Sequence, residues 1–458
     1  MPRDLRSYFD DAGDLLLRVE KPVARDHLSA LIVQANRPVL FEKIEGHPGW
    51  KVADLLFRDR LAQSRVLGVS PDRVLPELGK RLNLPPRAPR VVNTGPVKDK
   101  ILRDDEIDLR ELPSFQHGAR DPGPGIICMN ICRAPDGGNV NFSFTRLGPI
   151  DARRATYLIG SSPHMRQILR EWEDRGEPMP MACVIGTHPA YEIMASYSVP
   201  DHLEKFGELE LVGNLIDETI EMVPCESIPL EVPAHAELVI EGWVQPHERM
   251  DDGPGPSQAL YYIPGVTQQP VFEACTMTMR KDPVLRQHNT LMYSDHQPLL
   301  SLPHEALLYE RLESMRVDVH EVFYVPWGGT LACVVQMTPH SNGEVRNVLM
   351  TVLGERWPNA KLAIAIDDDV DISSPEDLVW SISTRVDPER DLLIVPNAKG
   401  HPIDPTARQT SGGPRNVVTG KWGIDATKPS LIHEAERARF ERTLPPHYGE
   451  VDLKDYLT

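Results

Sequence analysis

Between residues 139 and 169 the chain reads NVNFSFTRLGPIDARRATYLIGSSPHMRQIL, which places Asn141, Ser143 and Arg146 in one short run and His164 in front of an apolar segment. An amide oxygen and an imidazole can ligate a divalent ion such as Mn2+. A guanidinium can grip a carboxylate or a phosphate through two parallel hydrogen bonds. Held together, these groups suit a site that keeps a hard metal ion beside an anion. Taken singly, each has an ordinary reading. Asn141 is then a strand-end residue, and His164 a helix-start residue behind Ser162, a good N-cap.

Composition narrows the classes. The chain has 458 residues, enough for two or three domains, and a net charge of −18 from 49 basic and 67 acidic residues. That balance argues against nonspecific nucleic-acid binding. It leaves room for an anionic substrate, because one arginine can override the global field. No apolar run is long enough for a membrane span. The start, MPRDLRSYFDD, lacks the apolar core of a signal peptide, so a cytoplasmic enzyme is expected. Six cysteines are scattered, with no second pair to complete a zinc site beside Cys128 and Cys132. The 43 prolines are spread through turns and form no low-complexity tract.

The elements that must position the chemistry follow from periodicity. Helical and strand-like segments alternate up to about residue 110, with helices over 27–34, 54–67 and 76–82 and a buried strand over 38–41. Strand-like runs then dominate, at 125–131, 140–144, 182–185, 236–240 and 271–279, separated by Gly/Pro/Asp turns. Beyond residue 300 alternation returns, with a helix over 303–315, strands over 331–337 and 361–366, and a charged terminal helix over 434–444. The expected fold is α/β (α+β). An N-terminal α/β domain (1–110) contributes to the cofactor site. A central split β-barrel, flavin-binding-like domain (111–300) holds cofactor and metal. A C-terminal α/β oligomerisation domain (301–458) carries the terminal helix.

Several longer motifs carry a more specific signal: Phe206-Gly207-Glu208-Leu209-Glu210 ahead of Gly213, Asp252-Gly253-Pro254, Asp367-Asp368-Asp369, Ser383-Thr384-Arg385-Val386-Asp387-Pro388, and Gly420-Lys421-Trp422-Gly423-Ile424-Asp425-Ala426-Thr427. In this order along the chain they resemble the UbiD family of prenylated-flavin-dependent decarboxylases. The resemblance implies prenylated FMN held by Mn2+ (or Mg2+) with K+ (or Na+) nearby. The family's Asn, His and Glu ligands fall on Asn141, His164 and Glu208. Glu208 is preferred to Glu210 because the family glutamate stands five residues before a glycine. Phe142, Ser143, Phe144, Thr145, Arg146, Pro163 and His164 would line the cofactor, and Lys421 would reach its phosphate.

The family also uses a Glu-Arg-Glu set around its substrate. Arg146 matches the arginine, and Asp252 keeps the first acid in a shortened motif. Ser257 replaces the second acid, the family's proton donor. Two residues are candidate substitutes: Asp252 itself, and His296, whose imidazole can shuttle a proton near neutral pH. The implied activity is reversible, non-oxidative decarboxylation of an aromatic, heteroaromatic or α,β-unsaturated carboxylic acid. It proceeds through a covalent substrate–cofactor adduct with release of CO2. The shortened acid motif inclines the reading toward ring acids. A flavin prenyltransferase would supply the cofactor, and a homodimer or homohexamer is expected. The alternative is a non-catalytic flavin-binding subunit that has lost its acid. A nicotinamide-reduced FMN oxidoreductase is disfavoured by the lack of a Gly-x-Gly-x-x-Gly fingerprint.

Overall fold

The computed structural model describes residues 3–138, 140–159, 163–197, 207–257, 259–263, 265–291, 294–357, 359–411, 416–447 and 450–456; the side chains of Pro163 and Lys454 are outside the description. The chain forms two compact units: Met1–Leu307 with Pro326–Thr330, and Leu308–Val325 with Leu331–Thr458.

The centre of the first unit is the expected barrel. Ile126–Arg133, Val140–Pro149, Arg154–Leu158, Thr267–Met279, Leu238–Asp252 and Met179–Ile185 pair in that order, and the last pairs back to the first. Among the described residues this closes a 6-strand antiparallel barrel, which removes the sheet's open edges. Alternate residues fill it: Ile126, Cys128, Cys132 and Leu147 belong to one core with Met181, Cys183, Leu238 and Phe272. Because strand side chains alternate, Asn141, Ser143 and Thr145 share the face of Leu147, and Phe142, Phe144 and Arg146 take the other. One strand therefore serves two compartments.

Residues on both sides of position 110 share sheets here. Lys100–Arg103 pairs with Thr267–Met279. Val284–Arg286 returns from beyond the barrel to join Lys51–Asp54 in a sheet with Leu17–Val19 and Val39–Phe41. Leu5–Ala12 forms a helix because Leu5, Tyr8, Phe9 and Ala12 make one buried stripe and Asp4 with Ser7 makes a capping box. The helix expected over 54–67 starts only at Arg60, capped by Asp59, because Asp54 ends a buried strand.

In the second unit Ala332–Thr338, Leu362–Ile366 and Val417–Ala426 run parallel, flanked by antiparallel Asp318–Tyr324 and Leu392–Lys399. The helix Glu344–Leu353 buries Val345, Val348, Leu349 and Val352 on one stripe. The terminal helix expected over 434–444 is one turn, Glu434–Arg437, followed by a 3-10 turn, Ala438–Phe440. Its arginines explain the change. Arg437 donates to Asp367 and to the Pro429 carbonyl, and Arg442 to both oxygens of Asp377. The segment is tied to the body of its unit rather than forming a free solvated face. Among the described residues no helix is long and apolar enough to cross a membrane.

Candidate functional site

Asn141 and Glu208 come together through the backbone between them. Glu208 Oε2 accepts the Phe142 amide at 2.9 Å. The turn ahead of Glu208 demands glycine: Gly207 has φ +52°, and a Cβ there would stand 2.7 Å from the Val140 carbonyl oxygen. Asn141 is oriented by its Nδ2, which donates to Ser143 Oγ at 2.8 Å. Both side chains are buried. Burial pushes the Glu208 carboxyl up to about 7. Among the described residues no lysine or arginine pairs with it.

His164 stands in the first turn of the helix Pro163–Arg175, and Met165 beside it packs its sulfur 3.1 Å from Cys132 Sγ. Cys132 is the cross-strand partner of Asn141, so the helix start lies against the beginning of this strand. No group of three or more His, Cys, Asp or Glu is placed to hold a metal among the described residues; the expected ligand set has two such residues and an amide. A buried carboxylate with no lysine or arginine partner among the described residues, beside a buried amide, fits a divalent cation. Ser162 and Phe206 lie outside the described residues.

On the other face of the strand, Arg146 Nη2 donates to Asp252 Oδ1 at 2.5 Å, and Thr156 Oγ1 donates to Asp252 Oδ2 at 2.8 Å. Asp252 thus accepts at both oxygens. Ser257 lies in the hairpin turn that follows, its amide donating to the Tyr261 carbonyl at 2.8 Å. His117 is a neighbour that the sequence did not single out. Burial, then Arg146 and His296, push its pKa down to about 3. His296, the first residue of the helix His296–Ser314, is also held neutral: burial, then His288, lower it to about 4. An imidazole in that state holds few protons at neutral pH.

A buried charge network adjoins this face and was also not anticipated. Arg286 grips Glu192 with two 3.0 Å bonds, Asp295 Oδ2 at 2.5 Å and Asp54 Oδ1 at 3.3 Å, and it donates to the Gln287 carbonyl. His288 lies 3.1 Å from Arg286 Nη2, and its ring meets Phe144 edge-on at 4.8 Å. Burial alone would raise Asp295 and Glu192, but Arg286 and His288 overrule it and hold both below the ordinary carboxylate range. Asp54, more weakly gripped, is pushed up by burial and by Asp295 to about 7. Two sequence signals point here. Glu192 is the lone acid in an otherwise uncharged helix, PAYEIMAS, and Arg286-Gln287-His288-Asn289 is a polar run that begins at the last residue of a buried strand.

Lys421 belongs to the second unit. It sits in the strand Val417–Ala426, where its buried Nζ donates to the Leu353 carbonyl at 2.8 Å, and burial lowers its pKa. The ammonium is already engaged within its own unit.

The buried imidazoles also set an acid limit. His188 Nδ1 accepts the Ala190 amide at 3.2 Å and caps the helix Pro189–Ser196, and burial pushes its pKa down to about 3. Its folded pKa lies below the unfolded 6.5, so no stability is lost above pH 6.5. Below that the unfolded chain binds a proton that the fold refuses. Stability then falls by up to about 1.4 kcal/mol per pH unit for each such group, until the folded pKa is reached. His188→Asn keeps a good cap without the titration. Its melting temperature is expected to fall less than that of the parent between pH 7.5 and 4.5; parallel curves would refute the burial argument.

Family models match two stretches: the 3-octaprenyl-4-hydroxybenzoate carboxy-lyase Rift-related domain over residues 90–292, and the C-terminal domain of the same enzyme class over 297–426. The anhydromevalonate phosphate decarboxylase of Methanothermobacter thermautotrophicus is 32% identical over 331 residues, 71% of this chain and 74% of the relative. The UbiD-class enzyme HmfF from Pelotomaculum thermopropionicum, solved with FMN, is 30% identical and superposes with a TM-score of 0.87 over 99% of this chain and 100% of that one. An evolved dimeric form of HmfF in complex with prFMN is 29% identical, with a TM-score of 0.84 over 100% of both chains. The barrel, the order of motifs and these matches lead to one conclusion: the chain belongs to the UbiD family of carboxy-lyases.

Proposed function

We propose that this chain is a reversible decarboxylase of a ring-type or α,β-unsaturated carboxylic acid, working with prenylated FMN. The observation that carries the reading is the two-faced strand Val140–Pro149. One face offers a buried amide beside a buried carboxylate that pairs with no lysine or arginine among the described residues. The other offers a guanidinium whose partner is a buried acid. Asn141, His164 and Glu208 would hold Mn2+ or Mg2+, and the backbone of 142–145 with Pro163 would line the cofactor. When bound, prenylated FMN supplies the electron sink for the carbon that loses CO2.

The chain's own residues do the rest. Arg146 exchanges Asp252 for the substrate carboxylate and orients it by two parallel hydrogen bonds. It holds the charged acid more tightly than neutral CO2, so its grip loosens as the carbon–carbon bond breaks. Asp252 Oδ1, freed by that exchange, would take a proton from solvent and hand it to the carbon. His296 Nε2 or Nδ1 is the alternative relay. Carboxylation at high CO2 is the same path reversed.

The archaeal relatives' name favours a second reading, an unsaturated acid that carries a phosphate. The test is protein co-produced with a flavin prenyltransferase, analysed for bound cofactor and metal and assayed for CO2 release across both acid classes. Prenylated flavin with turnover of one acid supports the proposal. Glu208→Gln is expected to lose the metal and most of the cofactor at unchanged secondary structure. Full metal content in that variant would remove Glu208 from the site.

A further inference from the structure

Turning a carboxylate into CO2 and a new C–H bond consumes a proton, and Ser257 stands where a second acid could have supplied it. Another carboxyl reaches the same neighbourhood from the loop between Phe115 and Gly125. The loop is closed by the Gly125 amide, which donates to the Phe115 carbonyl at 3.3 Å. Arg146 lies across this closure: a Cβ on Gly125 would stand 3.1 Å from Arg146 Cδ and 3.8 Å from Nη1. The guanidinium also borders Gly148, where a Cβ would stand 3.5 Å from Nη1 and 3.7 Å from Asp252 Oδ2. The loop, Arg146 and Asp252 all belong to the first unit.

Asp121 is fixed within this loop. Its Oδ2 accepts the His117 amide at 3.1 Å and the Gly118 amide at 2.9 Å. Its own amide donates to the Gly118 carbonyl at 3.0 Å, and its carbonyl accepts from Gln116 Nε2 at 2.8 Å. Oδ1, by contrast, is buried and accepts no hydrogen bond among the described residues. It lies 3.2 Å from the point where a Cβ on Gly118 would stand, and Tyr262 Oη lies 2.5 Å from that point, so only glycine lets phenol and carboxyl approach. A buried carboxylate oxygen without a donor is destabilised while charged, and a proton removes the penalty. Burial accordingly raises the Asp121 pKa above its ordinary value, against the pull of the Gly118 amide, Arg146 and the His117 amide, and Asp252 adds to the rise.

We infer that Asp121 takes up the proton that the reaction consumes, as the substrate carboxylate docks on Arg146, and passes it toward Asp252 as the new C–H bond forms. The inference rests on the decarboxylase reading above and deepens it. Docking brings a further carboxylate to a guanidinium that Asp252 and Asp121 already sense, and like charges so close favour neutralising one of them. Protonation makes a carboxyl neutral, which burial favours; it would make His117 or His296 charged, which burial opposes. Arg146 and Arg120, which lies on the Tyr262 ring at 5.4 Å, stay protonated, and Tyr262 already carries its proton. The half-buried Asp121 draws the proton from solvent, Asp252 Oδ1 receives it and the carbon keeps it, which leaves Asp121 ionised as at the start. Asp121 acts through Asp252 and so positions the proton without touching the reacting carbon.

The test is calorimetric titration of the cofactor-loaded protein with benzoate and with crotonate at about pH 7, in two buffers of different ionisation enthalpy, so that protons taken up on binding are counted. CO2 release across a panel of acids is measured beside it. The parent is expected to take up as much as about one proton per carboxylate bound. Asp121→Asn, which keeps an oxygen for the two loop amides, is expected to lose uptake at least about threefold and CO2 release at least about tenfold, and to bind the acids no more weakly. Asp121→Glu is expected to restore uptake; a merely structural role would weaken binding and leave the proton count unchanged. Asp121→Ser makes the same comparison if the amide variant does not fold. No uptake by the parent, uptake that survives in Asp121→Asn or Asp121→Ser, or binding of neither acid overturns the inference. Uptake lost in Asp121→Asn with no CO2 from any acid in the parent upholds Asp121 and sinks the decarboxylase reading. CO2 release with uptake unchanged in Asp121→Asn does the reverse.

Discussion

Arg286→Leu is expected to destabilise the first unit by about 3–5 kcal/mol, the largest stability effect of any single substitution considered. The guanidinium is 2% exposed in its side chain and binds three carboxylates, Glu192, Asp295 and Asp54, each 0% exposed. Removing it strands buried negative charge that no other cation in the network can neutralise except His288. The sign with pH is opposite to that of the parent. With Arg286 present, Glu192 and Asp295 have depressed pKa values, so their contribution is present above the unfolded carboxylate pKa and is lost as pH falls through the folded one. Without Arg286, burial raises them, and protonation relieves the repulsion. The stability gap between parent and Arg286→Leu is therefore expected to narrow as pH falls from 8 to 5, read by urea denaturation at each pH. A gap that stays constant would mean that the network's charges do not carry the effect.

Arg146→Ala is expected to lower CO2 release by about 10²–10³-fold, the scale of removing one preorganised charge-stabilising donor, with bound cofactor retained. Arg146 Nη2 and Asp252 Oδ1 form a 2.5 Å pair at the point where the substrate carboxylate is proposed to enter. Loss of the guanidinium takes away both orientation and the charge that the carboxylate needs. Arg146→Lys keeps the charge without the fork and is expected to fall between. Asp252→Asn, which leaves Arg146 without its carboxylate partner, separates the roles. If Asp252 delivers the proton, decarboxylation stalls after CO2 loss and exchange of the product's hydrogen with solvent disappears. If His296 is the relay, exchange survives in Asp252→Asn and is lost in His296→Asn. Retained cofactor with undiminished turnover in Arg146→Ala would remove this face of the strand from the chemistry.

Legibility differed residue by residue. The helix Leu5–Ala12 and the strand Ile126–Arg133 are written in local spacing, since each needs only one apolar stripe or one alternating face. The helix expected over 54–67 starts late because Lys51–Asp54 is recruited as a strand between Val39–Phe41 and Val284–Arg286. The terminal helix shortens for a related reason: Arg437 reaches Asp367, 70 positions earlier. In both places contacts with distant segments outweigh helical propensity, which amounts to less than about 1 kcal/mol per residue.

The sequence by itself determined the family, through the order of Asn141–Arg146, Glu208, Asp252, Asp367–Asp369, Ser383–Pro388 and Gly420–Thr427. With the family it determined the class of chemistry, because those residue types are what that chemistry requires. Only the tertiary structure decided that Asn141 and Arg146 face opposite compartments, that Glu208 is buried, that His296 is held neutral, and that Arg286 gathers Asp54, Glu192 and Asp295 from three separate segments. The physical reason is that the charge state of a group depends on what surrounds it. Burial and counter-charge are set by contacts across the fold, and no local pattern of residues records them.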